Sequence, residues 1–219
     1  MSEMFLLPTA HAIQIGDDLV LLDIAADRYL CLPGGASLGL STDRRRLADC
    51  DPELGDELVD ARLASRVPCP IYAPAKSLPV AHADLCRPCA EPLGWRDRRD
   101  LIRASFDGVW SYPRRTFAEL IAFAETRASA DVAESEPSGD MRDLVSRFHR
   151  WVCWVPAPAK CLIRSFILLR HLRRYGFDAR WVFAVRTWPF EAHCWLQSGG
   201  TILDDVPDRL QAYHPILVA

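Results

Sequence analysis

The chain has 219 residues, half of them hydrophobic, with a formal net charge of −3 at pH 7. That supplies one sizeable core, or a small domain beside a medium one, and the acidic balance argues against a nucleic-acid binder. No apolar run reaches the ~18 residues of a membrane-spanning helix, and the start, MSEMFLLPTAHAIQ, lacks the basic n-region of a secretory signal, so a cytoplasmic protein with no membrane span is expected.

Residues 11–32 read as a three-stranded meander. His11–Ile15, Leu19–Asp23 and Arg28–Leu32 are short apolar-rich runs joined by the turn signals Gly16-Asp17-Asp18 and Ala25-Ala26-Asp27. One helix is expected within residues 36–49. A second should start at Asp51 as N-cap, with Pro52 at the first helical position and Glu53 and Asp56 in the first turn, and run on through Leu54, Leu58 and Leu63. Three strands and two or three helices make residues 1–66 a small winged-helix-like unit.

Six prolines between Pro68 and Pro92 break both helix and strand, which marks 67–95 as a semi-rigid linker. The second domain, 96–219, opens with a helix over Arg96–Trp110. Thr116-Phe-Ala-Glu119 has the form of a capping box before Leu120, Ile121 and Phe123. The polar stretch 128–139 is a surface loop, and Asp140 caps a helix ending near Trp151. Pro156 and Pro158 break the chain just before Cys161. From there a helix runs to Gly176, a residue suited to the C′ position, with Arg173 and Arg174 in its last turn. A strand near Arg180–Val185, a strand over Glu191–Gln197, a Gly199-Gly200 turn and a strand over Thr201–Asp205 complete an α+β domain.

There are eight cysteines, at positions 31, 50, 69, 86, 89, 153, 161 and 194. Without an export signal they are not read as a disulfide framework. Cys86-Arg-Pro-Cys89 is an isolated CxxC. A structural zinc ion needs four ligands, and beyond His82 no second pair is at hand, so no metal is assigned.

The chemistry resides in the order Cys161, His193, Asp205. A helix N-terminus carries about half a positive charge and unpaired N–H groups, which favour the thiolate, the reactive form of a cysteine. An imidazole within reach of the sulfur, oriented by a carboxylate, completes a nucleophile, base and orienter. Strand alternation points His193, Trp195 and Gln197 one way and Cys194 the other. The hairpin brings a carboxylate to His193 Nδ1, with Asp205 favoured and Asp204 the fallback. Each residue alone has an ordinary reading: a packed thiol, a hydrogen-bonded histidine, a turn-forming aspartate. Cys194 and Cys153 are rival thiols.

The segment CLIRSFILLRHLRRYGFDARWVFAV…PFEAHCWLQSGGTILDD resembles the leader peptidase, or B protein, of lasso-peptide biosynthesis. That family shows a Cys-Leu-x-Arg-Ser helix, a Leu-Arg-Arg-x-Gly end, a Pro-Phe-x-Ala-His-Ala-Trp-Val-Glu strand and a following aspartate. Here Cys194 and Leu196-Gln197 depart from that pattern. The stretch DDLVLLDIAADRYLCL resembles a PqqD-like peptide-recognition domain. The resemblance implies a papain/transglutaminase-like cysteine protease domain fused to a recognition domain for the precursor's leader. Cys161, His193 and Asp205 would cut the leader–core bond of a ribosomal precursor peptide. The leader would add a strand to a sheet edge of the N-terminal domain, and a separate asparagine-synthetase-like lasso cyclase would close the ring. ATP stimulation goes with maturation in that family; this chain shows no phosphate-binding glycine loop, and no cofactor is assigned to it. The rival readings are an acyltransferase on the same residues, a non-catalytic leader-binding chaperone, and a winged-helix DNA binder. The last is disfavoured by Asp51, Glu53, Asp56, Glu57 and Asp60 on its helix.

Overall fold

The computed structural model describes residues 2–69, 78–88, 91–126, 135–154 and 160–219. The chain divides into two compact units, one of Met1–Ser77, Val185–Glu191 and His214–Leu217, the other of Leu78–Ala184, Ala192–Tyr213 and Val218–Ala219.

The first unit holds two small sheets. Strands β2 (Ala10–Ile15), β3 (Asp18–Asp23) and β4 (Arg28–Leu32) form the expected meander, antiparallel in the order β2–β3–β4. Ala10 pairs with Asp23 at one end of the first hairpin and Ile15 with Asp18 at the other. Asp23 closes the second turn by accepting from the Ala25 and Ala26 N–H groups and pairing with Arg28 at 3.2 Å. The second sheet sets β1 (Ser2–Leu6) between β5 (Arg46–Cys50) and β6 (Ala64–Ser65). Met4, Leu6, Leu19, Leu21, Leu47, Leu58 and Leu63 are buried together as the core.

Helix α1 (Pro52–Asp60) starts as its sequence dictates. The Asp51 carboxylate accepts from the Leu54 N–H at 2.9 Å, and Pro52 occupies the first turn, where its missing donor costs nothing. Two expectations fail. The helix stops at Asp60, before Leu63, and 36–49 holds a single 3-10 turn (Gly35–Leu38) followed by β5. Apolar residues there are too few for a helical stripe, and Leu47 is instead buried by pairing with Met4 across the sheet. Six strands and one α-helix therefore stand where three strands and two or three helices were expected.

Past β6 the chain carries β7 (Ala83–Asp84), α2 (Trp95–Ser111), α3 (Phe117–Glu125), α4 (Gly139–Val152), α5 (Cys161–Arg174), β8 (Arg180–Arg186), β9 (Glu191–Ser198), β10 (Thr201–Ile202), α6 (Pro207–Leu210) and β11 (His214–Val218), all in the second unit except Val185–Glu191 and His214–Leu217. One sheet runs β11–β8–β9–β10–β7. Residues 83–84, inside the stretch expected as linker, pair parallel with Thr201 and Ile202, so part of that stretch belongs to this unit's sheet.

Phe166 of α5 stacks on Trp181 and meets Phe123 edge-on, with ring centroids 6.1 and 5.6 Å apart. Phe117 of α3 meets Phe183 at 5.3 Å. These aromatics fasten the helices to one face of the sheet. Val182, Ala184, Trp195, Ile202, Leu210 and Tyr213 form a second buried cluster. Each fully buried large apolar side chain of this kind contributes roughly 1.5–3 kcal/mol.

The Thr116 capping box forms: the Glu119 N–H donates to the Thr116 hydroxyl and the Thr116 N–H to Glu119 at 2.8 Å. Helix α4 is capped by Ser138, accepting from the Met141 N–H at 3.3 Å, and not by Asp140, which sits in the first turn. Helix α5 ends at Gly176, whose φ of +82° is the left-handed conformation a C′ residue needs. Among the described residues no helix is long and apolar enough to cross a membrane.

Candidate active site

Cys161 is the first residue of α5; the helix is entered from Lys160, which makes no side-chain cap. The Cys161 sulfur thus belongs to the helix turn whose N–H groups lack intrahelical partners. His193 lies on β9 and is 7% exposed. Its Nε2 stands 2.6 Å from Asp205 Oδ2, and Asp205 is 5% exposed. The carboxylate thus takes Nε2, where the sequence reading placed Nδ1.

The thiol of Cys161 is brought down to about 4 by a hydrogen bond from the Cys194 side chain, with bonds from His193 and the Cys194 N–H adding to it against the cost of burial. Burial works against a charged His193, but its bonds to Asp205 and to the Cys161 sulfur raise it to about 9. Burial also opposes ionisation of Asp205. The His193 bond, the Val206 N–H at 2.9 Å and nearby Arg209 outweigh it and hold the carboxyl below its ordinary range.

Asp204 has a different place. It is 1% exposed; its carboxylate accepts from the Leu196 N–H at 2.8 Å and the Ser165 hydroxyl at 2.5 Å. Burial raises its pKa. Strand β10 ends at Ile202, so both aspartates sit in the bend that follows and not on a strand as expected. There Asp204 points back at β9 and α5 while Asp205 faces His193.

Arg164, one turn after Cys161, donates to the Asp204 carbonyl and lies 3.8 Å from Asp205 Oδ2. Arg209 approaches the same oxygen at 3.6 Å. The helix that begins with Cys161 therefore also holds the aspartate bend, through Arg164 and Ser165. Arg164 and Ser165 stand three and four residues after Cys161, a spacing that puts them on its side of the helix, but only the structure gives them partners.

Two thiols gain a place that the sequence did not indicate. Cys194 points away from His193 along the strand, yet it is the largest influence lowering the Cys161 thiol pKa. Burial raises Cys194 well above the ordinary thiol range. Cys86 donates its S–H to the Asp205 carbonyl at 3.1 Å; burial, followed by Asp204 and Asp84, pushes it up to about 12. Both thiols are held protonated, so Cys161 alone of the three has thiolate character. Cys153 is exposed, with its S–H toward the His149 carbonyl. Cys89 lies outside the described residues, as do Pro156 and Pro158. Among the described residues no group of His, Cys, Asp or Glu is arranged to hold a metal ion.

A family model for the transglutaminase-like superfamily matches residues 108–218, just over half of the chain and the whole of this site from Cys161 to Asp205. The chain belongs to that superfamily. The transglutaminase-like region takes in helices α3 to α5 and the strands β8 to β11. The microcin J25-processing protein McjB of Escherichia coli is 42% identical to the chain over 48 residues, 22% of this chain and 23% of McjB. The matched stretch thus spans under a quarter of that relative. No solved structure gives a significant match.

Proposed function

We propose that this transglutaminase-like protein is the leader peptidase of lasso-peptide maturation, cutting the leader–core bond of a ribosomal precursor peptide through Cys161, His193 and Asp205. The observation that carries the reading is the 2.6 Å His193–Asp205 bond beside a low-pKa cysteine at a helix start. The likeness to a microcin-processing protein supplies the substrate class.

In this mechanism the Cys161 thiolate attacks the scissile carbonyl carbon, and the Cys161 backbone N–H is one donor to the developing oxyanion. The C–N bond breaks as the His193 imidazolium gives its proton to the leaving amine, and the leader remains as a thioester on Cys161. Water then adds to the thioester, His193 takes its proton, and the thiolate departs. Asp205 keeps the imidazole turned toward the sulfur and stabilises its charged form. Asp204, Ser165 and Arg164 hold the bend that presents Asp205.

The first unit serves as the PqqD-like recognition domain in this reading. Strands β2 and β4 are the two edges of its antiparallel meander, and an edge strand offers unpaired backbone groups to an extended leader. The freed core would pass to an ATP-using, asparagine-synthetase-like cyclase.

The test is incubation of the protein with a lasso-type precursor peptide, followed by mass spectrometry. One cut releasing an intact leader, absent with Cys161→Ala although leader binding persists, is the expected result. Equal cleavage by Cys161→Ala contradicts the mechanism, and absence of both binding and cleavage contradicts the substrate class.

A further inference from the structure

Helix α2 buries Leu101, Ala104, Ser105 and Gly108 and turns its opposite side outward. On that side Trp95, Ile102, Phe106 and Trp110 are exposed by 68, 52, 65 and 60%. With Arg99 between the first two, their spacing of four, three, four and four residues lays them in one line along the helix. Phe106 and Trp110 stack on one another at 5.9 Å. Trp154 and Val80 are also exposed in this unit, but the α2 residues form a continuous line, and contiguous exposed apolar patches mark contact surfaces.

The charges beside the ridge identify the occupant. Between Gly94 and Arg115 the chain has six arginines and three aspartates. All three aspartates are engaged: Asp97 with Arg147, Asp100 with the Tyr175 hydroxyl and Arg99, and Asp107 with Arg174. The arginines border the ridge itself. Arg96 and Arg99 lie over the Trp95 ring at 5.3 and 5.4 Å, and Arg114 lies over Trp110 at 4.2 Å. The ridge is about 22 Å long at 1.5 Å per residue, bracketed by tryptophans and rimmed by guanidiniums. Indoles and guanidiniums are the side chains that settle at the level of lipid headgroups.

We infer that the α2 ridge docks the protein on an anionic lipid surface, with Ile102 and Phe106 entering the acyl boundary and Arg96, Arg99 and Arg103 meeting phosphate headgroups. The protein is thereby held peripherally, with no spanning segment involved.

The probe is vesicles of phosphatidylglycerol mixed with phosphatidylcholine, compared with phosphatidylcholine alone, read by co-sedimentation and by tryptophan emission. Wild-type protein is expected to bind the anionic vesicles, with a blue-shifted emission, and to be released by salt. Phe106→Ser combined with Trp110→Ser should abolish binding while circular dichroism and the melting curve stay unchanged. Replacing Arg96, Arg99 and Arg103 with Gln should weaken it about 100-fold. Absence of vesicle binding overturns the inference, as does equal binding by the serine variant. A wild-type dimer in solution that the serine variant dissolves also overturns it, because the ridge would then be covered by a second copy of the chain.

Discussion

Replacing Asp205 by Asn tests how the site's charge is organised. The side chain keeps its shape, but the 2.6 Å bond to His193 loses its charge on the acceptor side, in a place where both residues are under 10% exposed. A buried hydrogen bond to a charged group contributes about 1.5–3 kcal/mol. The bond favours the imidazolium, so its loss lowers the His193 pKa. At 1.36 kcal/mol per unit that is about one to two units, from about 9 to about 7–8.

For the wild type, activity should rise with pH as Cys161 ionises near 4 and fall as His193 loses its proton near 9. In Asp205→Asn the alkaline limb should shift into the neutral range, and kcat/KM at its optimum should drop on the order of 10- to 100-fold. The assay is peptide cleavage against pH, backed by the rate of iodoacetamide alkylation of Cys161, which needs no substrate. An alkaline limb that stays near 9 in the variant would refute the reasoning.

Ser165→Ala removes the hydroxyl donor to a fully buried Asp204 and should cost about 1–3 kcal/mol, seen as a Tm lower by several degrees. Arg173→Met leaves Asp178 uncompensated in the interior and strips two donors from the Phe123 and Ala124 carbonyls at the end of α3. A loss of about 3–5 kcal/mol in urea denaturation is expected, with Asp178→Asn restoring part of it. Gly108→Ala would set a Cβ 2.4 Å from Ile167 Cγ1 where α2 crosses α5. It should destabilise by about 1–3 kcal/mol despite alanine's better helix propensity, and Ile167→Ala, which removes Cγ1, should remove the clash, so that the two losses are less than additive in the double variant.

Local signals in the sequence carried far. The Asp51–Pro52 start of α1, the Thr116–Glu119 box and the Gly176 end of α5 all rest on one or two residues whose backbone chemistry permits little else. The meander was legible because its turns are short and its runs apolar. What the sequence concealed is non-local. Leu47 reads as a helix residue until Met4, forty-three positions earlier, takes it as a strand partner. Strand β7 lies in a proline-rich stretch and exists only through pairing with β10. At the site, the sequence reading grouped Cys161, His193 and Asp205, and the structure brings His193 and Asp205 into direct contact. The separate place of Asp204 was not, because both aspartates precede the same Val206-Pro207 turn and only tertiary contact with Ser165 and Leu196 distinguishes them. Cys194 was set aside by strand alternation, which describes side-chain direction and says nothing of its effect on the pKa of a thiol carried by another element.

The most direct measurement is trapping of the acyl-enzyme. Protein and precursor peptide are mixed, quenched in acid within the first turnover, digested and mapped by mass spectrometry. The Cys161 fragment should carry the leader's acyl mass, and His193→Ala should abolish or greatly slow its appearance. Cleavage with no adduct on Cys161, or an adduct on Cys194 or Cys153 instead, would contradict the assignment of Cys161 as the nucleophile.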